Sequence, residues 1–252
     1  MRTLEEFFKE YPKVALGFSG GVDSCYLLYA AKKFGAKVQP YYVKTAFQPA
    51  FELEDAKKIA EQLEIPLKII YKDILAVEEV RKNPSNRCYY CKRQIFSTLL
   101  EEAQKDGYKV ILDGTNASDD LSDRPGFKAL KELEVLSPLR EAGLTKDEIR
   151  LLSKEAGLFT WNKPSYSCLA TRVPTDRMIT EEILEKIEKG EEALFRLGFY
   201  GFRLRFLDGA AKLEIPIEQW EMVLEKRQTI LSHLAPYFSN VYLDLVDRKD
   251  KE

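Results

Sequence analysis

The sequence predicts an α/β protein in which a doubly wound parallel sheet is followed by a smaller C-terminal α+β domain. Short continuous apolar runs alternate with helical segments through residues 13–112. Parallel strands select such runs because they are buried on both faces and joined by crossover helices. Proline and polar residues crowd together at 159–177, and strand-like alternation follows them. We therefore predict domains at 1–170 and 171–252.

The apolar pattern assigns each element in turn. In the first domain it predicts strands at 14–18, 38–43, 67–71 and 110–112, and helices at 25–33, 52–63, 74–81 and 88–105. A polar break at 82–87 separates the last two helices. In the second domain it predicts helices at 181–197 and 217–226, and strands at 200–207, 212–215 and 240–245.

Composition narrows the classes of function. The 252 residues are 45% apolar and 32% charged, which suits a soluble globular chain. The net charge is -2, so no overall positive field favours nucleic acid or an anionic membrane, and we expect a small-molecule substrate. No run approaches the ~20 apolar residues of a bilayer span, and no signal-peptide core is present, so we expect a cytoplasmic protein. His233 is the single histidine, which leaves the chemistry to sulfur, phosphate and carboxylate groups.

The segment Ser19-Gly20-Gly21-Val22-Asp23-Ser24 lies where the first predicted strand passes into a helix. Gly20 and Gly21 can bring bare N–H groups to an anion at the positive end of that helix, although an ordinary turn would also use glycines. The segment is neither a Walker A loop nor GxGxxG. It resembles the SGGxDS signature of the PP-loop ATP pyrophosphatases. The resemblance implies that Ser19, Gly20, Gly21, Asp23 and Ser24 bind ATP and that Asp23 also holds Mg²⁺.

A second polar loop follows the strand at 110–112. The carboxyl ends of parallel strands share one edge of a sheet, so this loop should lie near the phosphate loop. A solvated turn is the alternative. PP-loop enzymes carry a similar DGTN-type loop that faces nucleotide and metal, which implies such a role here for Asp113, Gly114, Asn116 and Asp120.

Four cysteines occur in a chain that we expect to stay in the cytoplasm, so reduced thiols or metal ligands are expected in place of disulfides. Cys88 and Cys91 have the CxxC spacing that puts two thiolates on one metal, and Cys168 would supply a third. Three cysteines suit a [4Fe–4S] cluster whose fourth iron is open to sulfide. A redox pair, a zinc site and unrelated thiols stay open as alternatives. Cys25 follows the phosphate loop and is expected to pack against the sheet.

With these motifs placed, the chain resembles the LarE family, the ATP-dependent sulfur transferases that make the nickel-pincer nucleotide cofactor. Beyond the phosphate loop, the matching stretches are NRCYYCK at 86–92, GTN at 114–116, RPG at 124–126, SPL at 137–139 and WNKPSYSCLATR at 161–172. One departure follows them, because many relatives continue with Pro-Tyr-Gly whereas residues 174–176 are Pro-Thr-Asp.

The resemblance implies a two-step reaction. ATP would adenylylate a carboxylate of pyridinium-3,5-biscarboxylic acid mononucleotide, and sulfur would then displace AMP to leave a thiocarboxylate. Some members give up the sulfur of the cysteine that matches Cys168, whereas others carry three cysteines and a cluster. The presence of Cys88 and Cys91 favours the cluster type.

Charged residues near the C-terminus are further candidates. The family uses basic residues there for the substrate phosphate, and Arg203 and Arg205 would point to one face of a strand. Pairing with acidic residues on a solvated strand face is equally open. Arg172 lies four residues after Cys168 and is a candidate at the reacting centre. Glu191 is either a metal ligand, by the family pattern, or a solvated helix residue.

Three other functions stay open from the sequence. A PP-loop tRNA thiolase would need an RNA-binding surface, which the acidic balance does not favour. An ammonia-dependent amide ligase would leave the cysteines idle, and a non-catalytic sensor would bind ATP without releasing AMP. As partners we expect the mononucleotide, a sulfur donor and further copies of the chain, because family members form multimers. We expect neither nucleic acid nor a membrane.

Overall fold

The computed structural model describes residues 2–120 and 125–248 and divides the chain into two compact units. The first contains the residues up to 74 together with 86–163. The second contains 75–85 together with the residues from 164 onward. The chain therefore passes from one unit to the other at three points along its length.

The first unit is built on a four-stranded parallel sheet. Its strands are β1 (Lys13–Gly17), β2 (Lys37–Lys44), β3 (Lys68–Tyr71) and β4 (Ile111–Leu112), in the spatial order β3-β2-β1-β4. Ala15 lies opposite Gln39 on one side and Ile111 on the other, which places β1 in the middle of the sheet. All three pairings are parallel, as the continuous apolar runs predict.

Helices connect and cover these strands. Those of the first unit are α1 (Leu4–Glu10), α2 (Val22–Lys33), α3 (Ala50–Gln62), α5 (Arg87–Lys105), α6 (Pro125–Glu132), α7 (Pro138–Glu141) and α8 (Lys146–Glu155), with α4 (Glu78–Arg81) in the second unit. No helix among the described residues has both the length and the apolar character needed to cross a bilayer.

Two successive residues of β1 show that both faces of the sheet are covered. Leu16 packs in a cluster with Leu27 and Leu28 of α2, to which α1, α3, α7 and α8 also contribute. Ala15 belongs to a different cluster, with Phe96 of α5 and Leu130 of α6. Successive side chains of a strand point to opposite faces, so helices lie on both, and the predicted doubly wound α/β fold is confirmed.

The second unit is a small α+β arrangement, as predicted. Its sheet contains β5 (Arg203–Leu207), β6 (Ala210–Glu214) and β7 (Val241–Leu243); β5 and β6 are antiparallel, whereas β6 and β7 are parallel. Asp208 and Gly209 both have positive φ, as a two-residue hairpin turn requires. The helices are α4, α9 (Glu181–Arg196), α10 (Trp220–Glu225) and α11 (Arg227–Leu234).

Hydrogen bonds join the two separate stretches of chain that make up this unit. The backbone N–H of Ile179 donates to the Arg81 carbonyl at 2.8 Å. The side-chain amide of buried Asn83 donates to the carbonyls of Val173 and Pro174, at 3.2 and 2.7 Å. These bonds hold segment 75–85 against a stretch far along the chain.

The structure also corrects several predicted elements. The helix predicted at 74–81 is wrong for its first half, because Ile74 and Leu75 are buried in an irregular stretch and only α4 is helical. Their apolar character therefore reflects burial and not helical periodicity. The helix predicted at 217–226 divides into a 3₁₀ turn (Ile217–Gln219) and α10. Five α-helices among the residues that the structure describes were not predicted, namely α1, α6, α7, α8 and α11.

Candidate functional site

The phosphate loop lies between the end of β1 and the beginning of α2. Gly20 has φ +74°, and a Cβ there would lie 3.1 Å from the Glu52 carbonyl oxygen and 3.1 Å from Ala56 Cβ. Only glycine therefore fits without strain. Gly21 is the N-cap of α2, and no side chain caps the helix there. The positive helix end is thus left to an external anion, which the triphosphate of ATP would fit.

Two serine hydroxyls give the loop its shape. Ser24 Oγ donates to the Gly21 carbonyl at 3.1 Å and accepts from the Ser19 N–H at 3.3 Å. Ser19 Oγ lies 3.1 Å from Ser24 Oγ and accepts from the Gly21 N–H at 3.3 Å. The loop is therefore closed on itself by short-range bonds among residues of the motif.

The loop at 113–120 lies beside it, as the parallel topology predicts. Asn116 Nδ2 donates to Asp23 Oδ1 at 3.1 Å. A Cβ at Gly114 would come within 3.1 Å of the Ser24 backbone nitrogen, so glycine permits the close approach. Asp113 is buried and accepts from Ser137 Oγ at 2.7 Å, which orients it into the protein. Asp120 is exposed at the end of the loop.

Three basic residues that the sequence did not indicate as site residues complete this region. Lys146 Nζ lies 2.6 Å from Asp23 Oδ2. Lys163 Nζ lies 2.8 Å from Asp55 Oδ2 and 3.4 Å from the Gly20 carbonyl oxygen. Arg140 donates to the carbonyls of Asn116 and Asp119 at 3.3 and 2.8 Å. Their partners are far apart in sequence, and only Lys163, within the matched stretch 161–172, carried any signal.

The CxxC pair opens helix α5 of the same unit. Cys88 is exposed and Cys91 is half-buried. A spacing of three residues on a helix puts both thiols on one face. Arg87 Nη2 donates to Cys88 Sγ at 3.8 Å in the first turn of this helix. Within either unit, the described residues contain no group of three or more His, Cys, Asp or Glu side chains placed to hold a metal ion. Cys168 belongs to the second unit.

Known proteins resemble this chain along most of its length. Residues 13–84 match the family model described as Queuosine biosynthesis protein QueC. An uncharacterized protein of Synechocystis, slr1717, is 36% identical over 244 residues, covering 95% of this chain and 89% of that protein. The pyridinium-3,5-bisthiocarboxylic acid mononucleotide synthase of Lactiplantibacillus plantarum is 30% identical over 216 residues, covering 85% and 78%. The chain belongs to the LarE family.

More distant relatives agree with the fold. The tRNA-specific 2-thiouridylase MnmA of Pseudothermotoga lettingae is 31% identical over 187 residues, which is 60% of this chain and 54% of that enzyme. The first unit is accordingly the PP-loop ATP pyrophosphatase fold, and membership of this superfamily implies ATP and Mg²⁺ as cofactors.

In this LarE-family chain Cys168 lies on an irregular segment of the second unit, half-buried, just before a 3₁₀ turn (Leu169–Arg172). Arg172 is fully buried, and its Nε donates to Glu191 Oε1 at 2.7 Å. Burial acts to lower the pKa of Arg172, but the Glu191 carboxylate more than offsets it, so the pKa is raised and the guanidinium stays charged. The interpretation of Glu191 as a solvated residue is wrong, because the side chain is 2% exposed.

Arg203 and Arg205 both point toward the segment that carries Cys168. Arg203 is buried and donates to the carbonyls of Phe202 and Ser165, at 2.8 and 2.9 Å. Burial, Arg172 and Arg248 together lower the pKa of Arg203 to about 10. Arg205 donates to Glu214 Oε1 at 2.8 Å and to the Thr171 carbonyl at 2.5 Å.

The structure confirms that Cys25 is a packing residue. It is fully buried on α2 among the side chains that cover β1. Burial raises the pKa of the Cys25 thiol to about 12, so a reactive thiolate does not form at neutral pH.

Proposed function

We propose that this chain is an AMP-forming, ATP-dependent sulfurtransferase acting on pyridinium-3,5-biscarboxylic acid mononucleotide. One observation carries the proposal. The N-terminus of α2, just after Gly20, has no side-chain cap and can receive a phosphate, in a chain of the family that includes the L. plantarum synthase. The substrate follows from that enzyme's name, which describes the doubly thiolated form of the same mononucleotide. The chain would act in the cytoplasm as a homo-oligomer.

In the first step a substrate carboxylate oxygen attacks the α-phosphorus of ATP, and pyrophosphate leaves. The backbone amides of the phosphate loop are proposed to hold the β- and γ-phosphates, together with Ser19 and Ser24. Asp23, already held by Asn116 and Lys146, is the proposed Mg²⁺ ligand. Gly114 and Asn116 lie against the same loop and are proposed to complete the nucleotide site.

In the second step a sulfide sulfur attacks the activated acyl carbon, and AMP leaves with the electron pair of the acyl–oxygen bond. Cys88, Cys91 and Cys168 are proposed to hold a [4Fe–4S] cluster, which would supply an open iron for the incoming sulfide. The CxxC pair in the first turn of α5 would supply two of the thiol donors of such a cluster. Arg172 is proposed to act at the same segment as Cys168.

The substrate phosphate is assigned to Arg203 and Arg205. Arg203 supports this because the hydrogen-bond partners of its guanidinium are two neutral carbonyl oxygens. Arg205 is 35% exposed and shares its charge with Glu214.

An anaerobic assay tests the proposal. Purified protein is given ATP, Mg²⁺, sulfide and the dicarboxylate mononucleotide, and the small molecules are followed by mass spectrometry. We expect AMP and pyrophosphate in step with thiocarboxylate; ATP binding without AMP would show a sensor. Iron and sulfide analysis of the protein tests the cluster, and colourless, iron-free protein at full activity would exclude it.

Cysteine variants separate the two possible sulfur sources. Cys88→Ser and Cys91→Ser should lose colour and sulfur transfer while ATP binding persists; intact transfer in either variant would remove both residues from the mechanism. Conversion of Cys168 to dehydroalanine during turnover would show that this cysteine gives up its own sulfur.

The similarity to the 2-thiouridylases supports one alternative, transfer of sulfur to tRNA. The same assay distinguishes it, because a tRNA thiolase would release AMP with tRNA and not with the mononucleotide. An ammonia-dependent amide ligase would instead respond to ammonium.

A further inference from the structure

The second unit contains one buried carboxylate with an unusual number of donors. Glu191 Oε1 accepts from Arg172 Nε at 2.7 Å and from the Leu204 N–H at 3.1 Å. Its Oε2 accepts from the Tyr166 hydroxyl at 2.5 Å and from Arg172 Nη2 at 3.3 Å. A carboxylate has about four lone-pair sites, and here all four are used by the protein itself.

The neighbouring glycine explains how Glu191 reaches the sheet. A Cβ at Gly190 would lie 2.5 Å from Leu204 Cδ2 and 3.1 Å from Phe238 Cε2. Its absence lets α9 approach β5 closely, which brings the Glu191 carboxylate within hydrogen-bond distance of the Leu204 backbone. The carboxylate, carried by α9, is therefore also hydrogen-bonded to the backbone of β5.

From Glu191 the contacts continue to the segment at 164–172, which we call the Cys168 loop. Arg172 Nη1 donates to the Ser167 carbonyl, Ser167 Oγ and Thr171 Oγ1, at 3.0, 2.7 and 2.7 Å. Thr171 Oγ1 donates in turn to the Cys168 carbonyl at 2.8 Å. The guanidinium also stacks on the Tyr166 ring, 4.7 Å from its centroid. The Glu191 carboxylate, through Arg172, thus holds in place residues on both sides of Cys168.

We propose that Glu191 is a positioning residue that fixes the Cys168 loop to β5 and α9, and that it does not act as a metal ligand. A metal would have to displace Arg172 or Tyr166 from a side chain that is 2% exposed, leaving a buried guanidinium without its anion. The effect on sulfur transfer rests on the function proposed above, whereas the effect on the loop does not.

Hydrogen exchange measured by mass spectrometry tests the loop directly. The variants are Glu191→Gln, which removes the charge, and Tyr166→Phe, which removes one hydrogen bond and keeps the packing. We expect exchange of 164–172 to quicken roughly tenfold in Tyr166→Phe and more in Glu191→Gln, with residues 13–33 unchanged. Glu192→Gln is the matched control, because Glu192 is the next residue of α9 and its exposed side chain pairs with Arg196.

The two chemical steps give a second readout. ATP–pyrophosphate exchange should stay within about twofold of the unmodified chain, while thiocarboxylate formation falls about tenfold in Tyr166→Phe. Unchanged hydrogen exchange of residues 164–172 in Tyr166→Phe would refute the proposal even if Glu191→Gln does not fold. So would recovery of Glu191→Gln activity with added Mg²⁺ or Mn²⁺, which would show a metal ligand. If the chain makes no thiocarboxylate at all, the hydrogen-exchange measurement on residues 164–172 still decides the role of Glu191.

Discussion

The phosphate loop of the first unit and the Cys168 loop of the second are both short irregular segments, but they are fixed by different means. The phosphate loop depends on backbone conformation: Gly20 fits under the Glu52 carbonyl, and Ser19 and Ser24 bond within the motif. The Cys168 loop depends on buried charge, through Arg172 and Glu191. The phosphate loop should therefore be sensitive to a side chain added at Gly20, whereas the Cys168 loop should be sensitive to removal of Arg172 or Glu191.

The largest effect should come from the backbone site. Gly20→Ala forces a side chain into a positive-φ position with a Cβ 3.1 Å from the Glu52 carbonyl oxygen, so the loop must shift. We expect AMP formation to fall roughly 100-fold, as for displacements of about 1 Å at a reacting centre. Gly35→Ala is the control, because Gly35 has φ +77° with open space around its Cβ. It should cost stability alone, and an equal loss of AMP formation in both variants would contradict the crowding argument.

The buried pair should give the next largest effect, on stability. Arg172→Met leaves Glu191 charged, buried and without its ion-pair partner, which should lower the free energy of unfolding by about 3–5 kcal/mol. Urea unfolding measures this change in the free energy of unfolding. Replacing both residues, as Arg172→Met with Glu191→Leu, should recover part of it. A double variant less stable than Arg172→Met would show that Glu191 is stabilised by other contacts.

A more exposed pair in the same unit should respond to pH and contribute less. Burial acts to raise the pKa of Glu214, but Arg205 and Lys212 more than offset it, so the pKa lies below the ordinary 4.5. The stabilisation is therefore complete above pH 4.5 and is lost as pH falls through the lowered pKa. We expect Glu214→Gln to be less stable at pH 7 by no more than about 1 kcal/mol. This difference should shrink as pH falls below 4.5; a difference that grows on acidification would reverse the sign.

The smallest effect should follow removal of the buried thiol beside the phosphate loop. Cys25→Ala leaves the loop's hydrogen bonds in place and should keep AMP formation within about twofold, with a stability loss near 1 kcal/mol. Iodoacetamide should leave Cys25 unmodified in the folded chain, since burial raises the pKa of its thiol to about 12. Rapid labelling of Cys25 under native conditions would contradict its packing role.

The same contrast explains what the sequence could predict. The strand, glycine turn and helix at 13–33 follow one another directly, so local pattern was sufficient for the fold and for the phosphate loop. The adjacency of Asn116 to Asp23 followed from the parallel topology. Lys146 and Arg140 carried no local signal, because each is defined by a partner brought near only by folding.

Glu191 shows the limit most clearly. On an acidic helix it looks like any surface glutamate, and only the close packing at Gly190 and the arrival of Arg172 make it buried. Segment 75–85 is similar, since nothing in its periodicity indicates that Asn83 binds the carbonyls of Val173 and Pro174. Long-range side-chain partners were therefore the part that one sequence could not supply.

The discontinuous second unit has a practical consequence for dissecting the protein. A fragment that starts at Pro164 would lack the Arg81 carbonyl that pairs with Ile179 and the Asn83 amide that holds Val173 and Pro174. An autonomous version would need residues 75–85 supplied as a peptide or grafted ahead of position 164 through a short linker. The peptide's affinity for that fragment would then measure how strongly segment 75–85 binds to the rest of the second unit.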